Sequence, residues 1–172
     1  MFLQTRNPNV PDIPNKLIKP VLRTTLTKQK NNYWNLVFDK LGSIDCIYSG
    51  EVLTKENYVL DHFVPYNFVS HDLMWNLIPA HPCTNSSKSD RLPRLDAFFP
   101  DFFTNQKRAF EIVTNENPNT KFREDFLTIF PNLEDFLKTD SEKSKMKYRE
   151  SIEPLITIAS NNGFIFYEQS TK

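Results

Sequence analysis

Apolar residues change their period along this chain, and each change marks an element. Between about Val21 and Leu41 the pattern is helical in parts: Trp34, Val37, Phe38 and Leu41 share one helical face, and Gly42 suits the position after a helix end. Residues 44–50 (IDCIYSG) read as a short strand and turn, and GEVLTKEN as a polar connector. Tyr58 to Val64 is apolar and β-branched enough for a strand, stopped by Pro65. Residues 66–74 read as a loop or short turn, and Trp75 to Ile78 as a second strand ended by Pro79. Thr84 is the expected N-cap of a helix running through Lys88 to about Arg91, before Pro93. Helical patterns then cover 96–113, 121–129, 132–138 and 142–158, with Pro100, Pro118 and Pro131 as punctuation. Residues 163–167 (GFIFY) read as a terminal strand or a buried apolar tail.

The pattern predicts an α+β chain whose middle runs strand, loop, strand, helix. Pro8, Pro11, Pro14 and Pro20 make residues 1–20 an extended arm. Residues 21–95 are expected to form the core unit with its preceding helix, and 96–172 a mostly helical extension packed on it.

Composition narrows the classes. With 39% hydrophobic residues and fifteen Phe among 172, the chain can bury a core. It has three Gly and neither GxGxxG nor GxxxxGK[ST], which argues against a phosphate-cradling glycine loop. No apolar run reaches the length of a membrane span and the start lacks signal-peptide order, so a cytoplasmic protein is expected. Cys46 and Cys83 are too few for a disulfide framework and read as reduced, partly buried thiols. Net charge is zero but unevenly spread. Residues 1–40 hold seven Lys/Arg against two Asp, whereas residues 101–172 hold ten basic against twelve acidic side chains. A basic arm of this kind either contacts phosphates or is simply solvated.

The candidate chemistry lies in YVLDHFVPYNFVSHDLMWNLIPAHPCTNSSKSD, residues 58–90. Asp61, His62, Asn76 and Asn85 supply what phosphodiester hydrolysis needs. Neutral imidazole accepts a proton from water, and oxygen ligands hold a hard divalent cation that offsets phosphate charge. An Asp-His pair alone is more often structural than catalytic; its company of Pro65, Asn76, Asn85 and Lys88, in that order, raises the catalytic reading.

That order resembles the HNH endonuclease motif over about residues 46–92, and it is similar to the HNH domain of RNA-guided CRISPR nucleases. The resemblance implies a ββα-metal unit with helical additions. It assigns Asp61 and Asn85 as metal ligands, His62 as a general base open to solvent, and Asn76 as the residue orienting that base through a hydrogen bond. Lys88, one helical turn after Asn85, is placed to approach a phosphate, and Arg91 to follow the nucleic-acid backbone. The implied cofactor is Mg²⁺ or Mn²⁺. Many family members bind a structural zinc through two CxxC pairs, but here those positions are Cys46 with Ser49 and His81 with Thr84, so no structural zinc is expected.

Neighbouring residues on an ideal strand point to opposite faces, so Asp61 and His62 share a site only where the strand is ending or distorted. His71 and Asp72 read as structural or substrate-proximal residues, with Asp72 a candidate turn cap. The implied activity is DNA cleavage by a soluble endonuclease, and the implied setting is a restriction or phage-defence system in which an ATPase or recognition subunit directs it. Two alternatives stay open: a non-catalytic HNH-like subunit binding nucleic acid or a partner, and an RNA-cleaving effector.

Overall fold

The computed structural model describes residues 25–138 and 141–168, and the arm expected over residues 1–20 lies outside them. A first helical stretch starts as α1 (Thr27–Gln29), passes through a π-helical turn (Lys30–Trp34) and continues as α2 (Asn35–Leu41). Its buried face is Tyr33, Trp34, Val37 and Phe38. Gly42 ends it at φ 78°, donating its N–H to the Phe38 carbonyl at 2.8 Å, a left-handed turn that suits a residue without Cβ.

Two small antiparallel strand pairs follow. β1 (Ile44–Asp45) pairs with β2 (Val52–Leu53), so the stretch read as a polar connector contributes a strand, anchored by the buried Leu53 opposite Ile44. β3 (Val59–His62) pairs with β4 (Leu77–Ala80), with His62 opposite Leu77 and Leu60 opposite Pro79. The second strand therefore starts later than expected and runs through Pro79. In a two-stranded ladder each strand keeps one edge outside the pairing, where a residue lacking N–H is tolerated. Between these strands the expected loop contains a helical turn, α3 (Tyr66–Val69), and a 3-10 turn over Met74–Asn76.

α4 (Pro82–Lys88) completes the ββα order. Its N-cap is His81 rather than Thr84, because Pro82 takes the first helical position, where its fixed φ fits and its missing N–H costs nothing. Ser89, at φ 47°, ends the helix before Arg91.

The extension comprises α5 (Leu95–Glu116), a 3-10 segment (Lys121–Thr128), α6 (Leu133–Lys138) and α7 (Ser141–Asn161). Pro100 lies inside α5 and Pro154 inside α7, so Pro100 does not break its helix. Phe99, Phe102, Phe103 and Phe110 recur at helical spacing on α5 and meet Phe126, Phe130, Phe136 and Tyr148 in an aromatic core. Phe63, just after β3, stacks on Phe102 with ring centres 3.9 Å apart, joining the two parts of the chain. The extension also holds the approach to β4. Gln106 donates to the Leu77 carbonyl at 2.7 Å and the Met74 carbonyl at 3.2 Å, and the Tyr148 hydroxyl donates to the Trp75 carbonyl at 2.6 Å. The tail returns as a single parallel bridge between Leu92 and Phe166.

Candidate active site

Asp61 is buried near the end of β3, and its carboxylate is held by two donors from other elements. The Tyr48 hydroxyl donates to Oδ2 at 2.7 Å, and the Lys88 ammonium lies 3.0 Å from Oδ2 and 3.3 Å from Oδ1. Burial, and then the charge and hydrogen bond of Asp61, push the Tyr48 hydroxyl well above its ordinary pKa, so it stays a donor. Lys88 also donates to the His62 carbonyl at 2.9 Å and is 0% exposed. The expectation that Lys88 reaches a phosphate is thus corrected. The turn that brings it beside Asn85 aims its ammonium inward, where the Asp61 charge offsets the cost of burying it.

His62 follows on the same strand. Strand alternation sends the two side chains to different neighbours, Asp61 to Tyr48 and Lys88, His62 to Tyr66 and Asp72. The His62 imidazole lies 5.2 Å from the Tyr66 ring, centre to centre, and its Nε2 is 2.8 Å from Asp72 Oδ1. Its side chain is 4% exposed, so the expectation of a base open to solvent is also corrected: neighbouring side chains cover most of the ring.

Asn76 does not carry the hydrogen bond expected to orient His62. It is fully buried. Its Oδ1 accepts from the Val64 N–H and its Nδ2 donates to the Val64 carbonyl, both at 2.8 Å, while its own carbonyl accepts from the Phe63 N–H. The side chain thus imitates a strand partner and continues the β3–β4 ladder to Val64, fixing the backbone that leaves His62 for Pro65.

A pocket of about 710 Å³ brings these groups together, and Asp61, His62 and Asn85 all line it. Lys30 from the π-helical turn and Ser86 and Ser89 around α4 also line it. Arg91 is exposed just beyond α4 and is not among the pocket's lining residues. Among the described residues no group of three or more His, Cys, Asp or Glu is arranged to hold a metal ion. The oxygen donors that Asp61 and Asn85 bring to the pocket wall are a carboxylate and an amide, types that suit a hard divalent cation. Asp61 and Asn85 would hold it. Tyr48 went unread in the sequence, since nothing in a thirteen-residue separation from Asp61 signals contact.

At the positions read against the zinc-binding pairs, other contacts stand. Cys46 is buried with its Sγ 3.5 Å from the His81 N–H, the Ser49 hydroxyl donates to Glu51 at 2.9 Å, and His81 Nδ1 lies 3.5 Å from the same Glu51 carboxylate. Cys83 is exposed, not partly buried as expected.

Two antiparallel strands followed by a short helix, with Asp-His on the first strand and an Asn on the helix lining one pocket, form a ββα unit. Residues 46–94 match the family model described as HNH endonuclease, and this segment carries that family's nuclease domain. HNH nucleases act on nucleic acid and generally use divalent metal ions. No curated protein and no solved structure matches the chain. Among the described residues, no helix is long and apolar enough to cross a membrane.

Proposed function

We propose that this protein is a metal-dependent endonuclease hydrolysing phosphodiester bonds in DNA, with His62 as general base and Asp61 and Asn85 holding one Mg²⁺ or Mn²⁺. The observation that carries this reading is the meeting of Asp61, His62 and Asn85 on one pocket wall inside the HNH segment. His62 takes a proton from water as the water oxygen bonds to phosphorus; the opposite P–O bond breaks and its electron pair leaves with the departing oxygen. A bound divalent cation supplies positive charge to the phosphate and the leaving oxygen. Asn76 keeps the backbone after His62 in register, and Lys88 with Tyr48 fixes the Asp61 carboxylate. Arg91, exposed beyond α4, contacts the nucleic-acid backbone. DNA is preferred on family resemblance. The neutral net charge favours recruitment by an ATPase or recognition subunit, as in restriction or phage defence, because phosphate contacts supply most sequence-independent affinity.

A second reading is a non-catalytic HNH module that binds nucleic acid or a partner. The covered His62 and the pairing of Asp61 with Lys88 favour it. Plasmid and RNA substrates incubated with Mg²⁺ or Mn²⁺ separate the readings. Wild-type protein is expected to cut DNA, and His62→Ala to lose about 10²–10⁴-fold of that rate. Equal cleavage by both proteins overturns the base assignment, cutting of RNA alone makes the protein a ribonuclease, and binding without turnover favours the second reading.

A further inference from the structure

We propose that Asp72 is a positioning residue for the base: its carboxylate accepts the Nε2–H of His62 and so holds the ring proton on Nε2. The lone pair of the neutral imidazole then sits on Nδ1, and Nδ1 is the atom that receives the proton of the attacking water. This rests on the reading of His62 as general base.

The geometry begins with the 2.8 Å contact between His62 Nε2 and Asp72 Oδ1, the Asp72 side chain being 18% exposed. A carboxylate at that distance accepts a hydrogen bond, and the charge-assisted bond selects the Nε2–H tautomer. The backbone is shaped to deliver the carboxylate. Ser70 ends α3 at φ 58°, a left-handed conformation that residues with Cβ seldom adopt, and its N–H bonds the Tyr66 carbonyl at 2.7 Å. That reversal turns the chain back toward β3. Two residues beyond Asp72 the Met74 N–H is held by Asp125 Oδ2 at 2.9 Å, so the segment carrying the carboxylate is tied at both ends. The edge contact of Tyr66 limits tilting of the ring. Asn76, expected to orient the base, spends its side chain on Val64.

Two readouts test it. In protein carrying ¹⁵N-labelled histidine, which has three His to assign, the two ring nitrogens report the tautomer of His62 at about pH 8.5, where an ordinary imidazole is neutral. Wild-type protein is expected to show Nε2–H. Asp72→Asn, whose amide can donate to Nε2, is expected to shift the ring toward Nδ1–H and to lower kcat by about 10²–10⁴-fold, the upper figure being the loss when an analogous carboxylate-held tautomer is inverted. KM is expected to stay within about twofold, since Asp72 orients the base and does not bind the phosphate. Asp72→Glu is expected to restore the Nε2–H signature and part of kcat, which a merely structural role would not do. A wild-type Nδ1–H signature, or Asp72→Asn with unchanged tautomer and kcat, overturns the proposal. If wild-type protein cleaves nothing, the nuclease reading fails, and with it the catalytic half of this inference, while the tautomer still decides whether Asp72 fixes the ring.

Discussion

The Lys88 side chain has no exposed surface; it pairs with Asp61 and donates to the His62 carbonyl. Removing one member of a buried pair strands the other, at a cost of about 3–5 kcal/mol. Lys88→Met is therefore expected to lower stability by about that amount, read from urea unfolding midpoints; an unchanged midpoint means the pair is solvated in solution. The same residue shows where sequence reading stops. Its spacing from Asn85 places both on one side of α4, as read, but spacing carries no depth, and the partner that draws Lys88 inward is twenty-seven positions earlier. Asp61, His62 and Asn85 were legible as one pocket because the motif orders them. Tyr48 and the role of Asp72 were not, since their contacts depend on how β1–β2 and the segment after α3 fold back. Asn76 was legible as important and misread in partner: a side-chain amide beside a strand end satisfies backbone groups as readily as an imidazole.

Between α3 and β4 the chain is tied to the helical extension at Met74 and Trp75, through Gln106, Tyr148 and Asp125. Asp125, on the 3-10 segment, holds the Met74 N–H, and burial raises its pKa above the ordinary carboxylate value, with the Met74 hydrogen bond partly opposing. A raised carboxyl pKa means the folded state binds its proton more tightly than the unfolded chain. This group's contribution is greatest at low pH and declines as pH rises from about 3.9, the ordinary aspartate value, through its folded value. Asp125→Asn is neutral throughout and its amide oxygen can still accept the Met74 N–H. The melting temperature of the variant relative to wild type is therefore expected to rise as pH increases from about 4 upward; a constant difference removes Asp125 as the source. The strand boundaries were legible only loosely at this scale. Pro79 looked like a stop because its missing N–H is costly inside a wide sheet, yet a two-stranded pair absorbs it.

Across the whole molecule, the expected division into nuclease unit and helical extension does not imply that the first folds alone. Phe63 stacks on Phe102, Gln106 bonds the β4 approach, and Tyr148 satisfies the Trp75 carbonyl, so the small unit borrows part of its core. A fragment ending at residue 94 is expected to lack cooperative unfolding by circular dichroism; a sharp transition there shows independence. The helical run after Pro93 was legible from its periodicity. The aromatic contacts that do the bracing join residues too distant for any local pattern to pair.

The bridge between Leu92 and Phe166 has a consequence for how disturbance travels. Tyr167, set by that bridge, lies with its ring centre 6.0 Å from Tyr48, whose hydroxyl in turn holds Asp61. Peeling away this stretch of backbone therefore removes a prop from beneath the carboxylate, so a disturbance more than a hundred positions downstream of Asp61 reaches the pocket wall.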